Sequence, residues 1–379
     1  SGMVAVMTQN IGAGRPGGAY QARQLGLTFN AVLGIIVSLI LTFGAGAILA
    51  GVGVADALMQ PARTYLQIVG GFCILNALIP ICSSYLRAFG FSKEPLYASI
   101  IGNVINFCLN AFFLFVLHKG VAGVATATVI SRIINLVIVV LLGAVLVKAK
   151  QHPERESNRA VMGQIIRIGL PSACETAIYN VSMTLVIRFL NQMDAQGLNV
   201  TARSYTMQIT NFSYCVGAAL AQANAIMTGW HIGAKEYDAC DRGTKKAAVI
   251  GVIVAVILET VFTLCSGWIM QLFSKDPQMV SLVGKLLAID IVLEIGRVTN
   301  LVYGQALKTS GDAVFPVVMG ACFMILCSVG GTYLFGIRLG LLAVGAYIGM
   351  TGDECVRAVG MYLRWKSGKW KEKGLVKSR

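Results

Sequence analysis

Charge is scarce in this sequence: 13% of its 379 residues are Asp, Glu, Lys or Arg, about half the share of a soluble globular protein. That excludes an ordinary water-soluble domain. Histidine is scarcer still. The three present, His118, His152 and His231, sit scattered at segment ends, and no zinc or haem constellation can be assembled from them. Nor do the ten cysteines supply one. Cys73, Cys82, Cys108, Cys174, Cys215, Cys265, Cys322 and Cys327 lie inside apolar runs without ligand spacing and read as small packing residues.

What is present is apolar length. Hydrophobic residues make up 56% of the chain, in recurring segments long enough to cross a hydrocarbon layer of about 30 Å at about 1.5 Å per residue. The sequence reads as an all-α polytopic membrane protein. Expected spans are 23–52, 62–89, 95–117, 121–148, 165–191, 198–229, 240–272, 279–308, 314–336 and 341–365, preceded by a truncated helix. Prolines fall mostly near helix starts (Pro61, Pro95, Pro171, Pro277, Pro316), where a missing N–H costs little. Pro80 lies inside its span and predicts a kink there.

The net charge is +14, yet its placement argues for membrane orientation rather than nucleic acid. Alternate loops carry most of the basic residues: Arg15 and Arg23; Arg87 and Lys93; Lys148, Lys150, Arg155, Arg159 and Arg167; Lys235, Arg242, Lys245 and Lys246; Lys308; and the tail from Arg364 to Arg379. By the positive-inside bias these face the cytoplasm, with the C-terminus among them. The tail RWKSGKWKEKGLVKSR can also touch anionic lipid of the bilayer.

Three landmarks recur at a fixed offset. Ile11-Gly12-Ala13 matches Ile232-Gly233-Ala234; LRAFGFSKEP (86–95) matches LKTSGDAVFP (307–316); GVAGVATA (120–127) matches GLLAVGAY (340–347), all at 220 or 221 residues. The chain therefore reads as two pseudo-symmetric bundles, parallel six-helix repeats with the first truncated. The expected division is 1–147 for the first bundle, 148–164 for a cytoplasmic linker, 165–366 for the second bundle and 367–379 for a basic cytoplasmic tail. The first copy begins late in its repeat, and the expectation is that one helix and most of the next precede it in the complete protein.

Taken in order, TQNIGAG, LRAFGFSKEPLYASIIGNVINFCLN, GVAGVATATVISRI, RIGLPSACE, LEIGRVTNLVYGQALKTSGDAVFP and GDECVRAVGMYLRWKSGKW resemble the multidrug and toxic compound extrusion (MATE) transporters. The resemblance implies two bundles forming a V around a cavity, and cation-coupled export of small organic, often cationic, compounds across the plasma membrane. It implies no cofactor beyond a coupling H⁺ or Na⁺, no nucleic-acid partner, no enzymatic step, and a monomer. The alternative is a flippase for lipid-linked or polysaccharide precursors.

A carboxylate at bilayer depth costs at least about 2.5 kcal/mol on insertion scales and needs a partner, a cavity or a proton. The first copy holds none inside a span, since Asp56 and Glu94 fall in loops, whereas the second holds Glu175, Glu259, Asp290, Glu294, Asp353 and Glu354. Glu175, Asp290 and Glu294 are the candidates for proton or cation coupling. Glu175 shares a helical face with Ser172, Tyr179 and Ser182. Glu294 and Arg297 (i, i+3) and Asp353 and Arg357 (i, i+4) are spaced as structural ion pairs, leaving Asp290 less compensated. Glu259 stands alone on an apolar helix without an assigned role. Candidate cavity-lining groups are Tyr179 and Ser182, the stripe Asn103, Asn106 and Asn110, and Gln208 and Asn211 on the stripe that begins at Ser204; interhelical hydrogen bonding is the simpler use of such amides. A membrane-embedded hydrolase would need a nucleophile with its base, and a channel would need a symmetric charge ring; the sequence offers neither.

Overall fold

The computed structural model describes residues 2–52, 54–147, 157–194 and 197–376. Among these residues the architecture is entirely helical. Contacts divide the chain into two compact units, one made of residues 15–162 and the other of residues 1–14 together with 163–379. The sequence division placed 1–14 with the first bundle. Its counterpart in the structure, α1 (Gly2–Gly12), packs instead within the unit that contains the second copy. Positions 148–156 of the expected linker and 377–379 of the expected tail lie outside the described residues. The rest of that linker, from Asn158 onward, is helix.

The unit 15–162 contains α2 (Pro16–Phe43), α3 (Ala45–Val52), α4 (Asp56–Gly71), α5 (Ile74–Ala88), α6 (Lys93–Ala111) and α7 (Gly120–Leu146). The expected span 62–89 is a pair, α4 and α5, bent by 40°. The bend lies at Phe72–Cys73, after Gly70-Gly71, while α5 runs unbroken through Pro80. Two consecutive glycines weaken the helix enough to localise the break there, and the kink expected at Pro80 is displaced to them. Asp56 and Glu94, expected in loops, occupy the first turns of α4 and α6, where a negative charge complements the helix dipole. In the core, the buried Arg23 guanidinium lies 4.5 Å from the Tyr85 ring centroid, a cation–π contact that helps to compensate its charge.

The other unit contains α1, most of α8 (Asn158–Met193), then α9 (Leu198–Gly233), α10 (Tyr237–Leu264), α11 (Ser266–Met270), α12 (Pro277–Ser310), α13 (Val314–Phe323) and α14 (Leu342–Lys366). Because α8 starts at Asn158, Pro171 falls in its interior rather than near its start. At its centre lies α12, packed against α9, α10 and α14. Lipid tails are as apolar as leucine, so close fit rather than water exclusion holds such helices together. Val298 illustrates the fit. A Cβ on Gly217 of α9 would lie 2.8 Å from one Val298 methyl, and a Cβ on Gly251 of α10 would lie 2.7 Å from the other. The same closeness joins α1 to α9, where a Cβ on Gly229 would lie 1.8 Å from Thr8 Oγ1 and one on Gly233 would lie 2.1 Å from Gln9 O.

Among the described residues five helical stretches are long and apolar enough to cross a membrane, or six with α4 and α5 taken together. The longer α8, α9 and α12 carry the polar groups that lower their hydropathy. Helix α10 displays both environments: Val249, Ile253, Ile257 and Val261 form an exposed apolar face, and Thr244, Ala248, Gly251, Ala255 and Glu259 form a buried one.

The duplication is written in the backbone as well. Left-handed residues recur as Gly14 and Lys235, Gly90 and Gly311, and Gly120 and Gly340. A π-helical turn at Phe112–Val116 after α6 has its counterpart at Thr332–Arg338 after α13. These features keep the spacing of the sequence landmarks, so the turns that end helices were duplicated along with the helices.

Candidate functional site

The buried face of α10 brings Glu259 against α12, and there it meets Asp290 and Glu294. One carboxylate oxygen from each of these three residues lies within 4.8 Å of the other two, and the residues are 0%, 2% and 0% exposed in the order given. Both oxygens of Glu259, Oδ2 of Asp290 and Oε2 of Glu294 have no hydrogen-bond partner. Ser213 of α9 is also buried, with its hydroxyl beside Glu259. Three such carboxylates cannot all hold charge without a compensating cation or proton. A hard cation binds oxygens at about 2.4 Å and so tolerates ligand oxygens up to about 4.8 Å apart across its centre, and the donor set is wholly oxygen.

Among the described residues the one cation in contact with the trio is Arg297. Its Nη1 pairs with Glu294 Oε1, and its Nε lies 3.8 Å from Glu354 Oε1 on α14. Glu354 also accepts from Arg357 Nη2 at 3.0 Å and Asn300 Nδ2 at 3.0 Å. Arg357 Nε reaches Asp353 Oδ1 at 2.8 Å, and Ser328 Oγ donates to Asp353 Oδ2 at 2.9 Å. An unbroken chain of ionic contacts therefore runs from the carboxylate trio through Arg297 to Glu354, Arg357 and Asp353.

Beyond Arg297 a cavity of about 390 Å³ opens. Its walls include Ser172, Glu175 and Tyr179 of α8, Tyr214 of α9, Arg297, Asn300, Gly304 and Lys308 of α12, and Glu354, Arg357 and Met361 of α14. Glu175 is not free in it: Lys308 Nζ lies 2.5 Å from Glu175 Oε2. Lys308 was grouped with the cytoplasmic loop cations, but α12 extends to Ser310 and turns it onto the cavity.

The remaining sequence candidates are dispersed. Ser182 is buried away from the cavity. Gln208 and Asn211 lie on an exposed face of α9. In the other unit, Asn103 is exposed, Asn106 Nδ2 donates to Ser131 Oγ at 3.3 Å, and Asn110 Nδ2 donates to Asn106 Oδ1 at 3.0 Å. Sequence reasoning missed Glu259 and Lys308. The signal for Glu259 was the run of small residues at 244, 248, 251 and 255, which puts it on the packed face of its helix. For Lys308 it was the 297, 300, 304, 308 spacing, a single stripe.

The family model MatE matches residues 1–112 and 171–334. The chain belongs to this family. The MATE assignment is supported along nearly the whole length by similarity to the uncharacterised transporter YisQ of Bacillus subtilis, 32% identical, with 99% of this chain and 84% of that protein covered. The probable multidrug resistance protein NorM of Thermotoga maritima is 21% identical, with 83% of this chain and 68% of that protein covered. In fold, the chain resembles a MATE crystallised in the bent conformation, with a TM-score of 0.88 at 18% identity, covering 98% of this chain and 83% of that one. The eukaryotic MATE transporter AtDTX14 gives a TM-score of 0.85, again at 18% identity over 98% of this chain and 83% of that one. This MATE chain is thus a multi-pass membrane transporter.

Proposed function

We propose that this MATE transporter is a secondary antiporter of the plasma membrane, exporting small organic compounds by alternating access in exchange for H⁺ or Na⁺. The coupling ion is taken by Glu259, Asp290 and Glu294. The observation that carries the reading is three buried carboxylates, each offering an oxygen within 4.8 Å of the others and each keeping at least one oxygen without a hydrogen-bond partner. Such a group changes its charge when a proton or cation enters, and that change biases two conformations differently, as coupling requires.

Arg297 supplies the connection to the organic substrate. With the trio charged, the guanidinium is held toward Glu294; with the trio neutralised, its pull passes to Glu354 at the cavity wall. An ion arriving on one side of Arg297 thereby alters the electrostatics on the other. The C-terminus faces the cytoplasm in this reading, by the distribution of basic residues. The flippase alternative is not favoured, because Lys308, Arg297 and Arg357 are each paired with an acid rather than open to an anionic head group.

Efflux from proteoliposomes under separate H⁺ and Na⁺ gradients tests the proposal. Glu259→Gln and Asp290→Asn are expected to abolish gradient-driven efflux while leaving substrate binding in place. A membrane potential contributes about 2.3 kcal/mol per net charge per 100 mV, so imposing a potential alone separates electroneutral from charge-moving exchange. Unaltered efflux by both variants under both gradients overturns the assignment of the trio.

A further inference from the structure

The last turn of α1 meets α9 in a way that obeys the repeat. Gln9 corresponds to Trp230, and Gly12 to Gly233, at the spacing of the sequence landmarks. A Cβ on Gly12 would lie 2.0 Å from Trp230 O, and a Cβ on Gly233 would lie 2.1 Å from Gln9 O. Each helix thus lays its glycine on the other's equivalent carbonyl, an isologous crossing of the kind that forms on a two-fold axis. It joins a helix of the first repeat to its own counterpart in the second. Its closest contacts are backbone on backbone, which hold by fit and can part without stranding a charge.

The segment 368–376, after α14, breaks this symmetry. Trp370 is buried and donates Nε1–H to Trp365 O at 2.9 Å, and Lys373 Nζ lies 3.8 Å from Asp312 Oδ1. From there the chain reaches Gln9, which is 1% exposed. Leu375 N donates to Gln9 Oε1 at 2.7 Å, while Gln9 Nε2 donates to Thr309 O at 2.6 Å. Gln164 Nε2 of α8 donates to Leu375 O at 3.2 Å. Both ends of one α1 amide are therefore engaged by the second repeat. The counterpart residue Trp230 carries no amide side chain. Likewise, a Cβ on Gly311 would lie 2.2 Å from Lys373 O, whereas one on its counterpart Gly90 would meet nothing within 4 Å.

Resting on the alternating-access reading above, we propose that residues 368–376 are a latch on cytoplasmic opening. Closed, the strap clips α1 to the second repeat beside the α1–α9 crossing. Opening toward the cytoplasm parts that crossing and requires Gln9 to release Leu375 and Thr309. The release is reversible at small cost, because water at the cytoplasmic surface replaces both hydrogen bonds.

The duplication supplies the control for a test. Gly311→Ala and Gly90→Ala impose similar left-handed strain, at φ +101° and +90°, but only the first pushes on the strap. Amide hydrogen exchange of the full protein in lipid nanodiscs, without an ion gradient, is read by mass spectrometry. In Gly311→Ala, exchange in residues 2–12 and 224–233 is expected to rise about tenfold, the scale on which losing one or two hydrogen bonds shifts an opening equilibrium. Exchange at the outer ends of α8 and α9, residues 183–193 and 198–208, is expected to fall, since alternation closes one side as the other opens. Gln9→Leu cuts both ties and leaves Trp370 and Lys373 seated; it is expected to act alike, with exchange in 368–373 unchanged. Gly90→Ala leaves residues 2–12 as in the parent. An equal rise in 2–12 for the two alanine variants overturns the proposal. So does a rise in Gly311→Ala confined to 368–376, or a loosening of α1 and α9 without added protection at the outer ends. The antiport reading fails separately: the latch variants then exchange as expected while neither gradient drives efflux.

Discussion

Replacing Arg297 by methionine removes the only cation that, among the described residues, contacts the carboxylate trio, while keeping most of the side-chain volume. In the structure its guanidinium pairs with Glu294, which is completely buried, and approaches Glu354 to 3.8 Å. At that separation a unit pair is worth about 4 kcal/mol at an effective dielectric constant of about 20. Glu354 retains Arg357 and Asn300, so that arm is largely replaced. Glu294 retains no other cation partner among the described residues, and its loss dominates. Breaking a buried pair by deleting one partner costs about 3–5 kcal/mol, because the surviving charge stays desolvated. The Arg297→Met protein in detergent is therefore expected to melt several degrees below the unaltered one, followed by tryptophan fluorescence. Adding Glu294→Gln removes the stranded charge and is expected to recover at least half of the loss, a coupling that a double-mutant cycle reads directly. If the single variant melts with the parent protein and the double variant is no more stable than the single, the ionic chain from Glu294 to Glu354 has no energetic role and the relay proposed through Arg297 fails with it.

Three further outcomes follow from local geometry. Gly229→Ala would drive a methyl to within 1.8 Å of Thr8 Oγ1; a cost of about 1–3 kcal/mol from overpacking is expected, and Thr8→Gly in the same protein should relieve it, read by thermal melting. Trp365 stacks on Trp370 at 4.2 Å between centroids and donates Nε1–H to Asp241 Oδ1 at 2.9 Å. Trp365→Ala should cost about 3–5 kcal/mol, and Trp365→Phe much less, since the stack survives. Partial burial opposes the Asp194 charge, but hydrogen bonds from Asn199 and Leu198 outweigh it and hold the carboxyl below its ordinary pKa. A depressed folded value means that the stabilisation is complete above the unfolded value of about 3.9 and disappears as pH falls through the folded one. Melting curves for the parent and Asp194→Asn proteins should thus differ at pH 7 and draw together as the pH falls from about 4 through the lower folded value.

The helical architecture and the duplication were legible because both rest on long-range statistics of the sequence. Apolar runs of membrane length, and landmarks such as LRAFGFSKEP and LKTSGDAVFP, do not depend on any single side chain's orientation. Local breaks were less visible. Gly70-Gly71 competed with Pro80 for the bend, and only packing decides between two weak points on the same span. The site divided in the same way. Spacing on one helix placed Glu294 with Arg297 and Asp353 with Arg357, and both pairs are seen. Interhelical partners such as Glu259 with Asp290, or Lys308 with Glu175, require knowing which helices adjoin. No periodicity within one helix carries that information.

The chain after α14 is bound more tightly than its basic composition suggests. Gln9 donates to Thr309 O at 2.6 Å and accepts from Leu375 N at 2.7 Å, and Gln164 Nε2 donates to Leu375 O at 3.2 Å. At the turn after α12, Gly311 adopts a φ of +101°, and any side chain there would collide with Lys373 O. Handling of the protein in the laboratory should respect these ties: trimming the polypeptide at 366, or fusing a purification handle there, would strip Gln9 of its acceptor role and loosen the grip on the first helix, so an affinity tag belongs beyond the final residue, on a spacer.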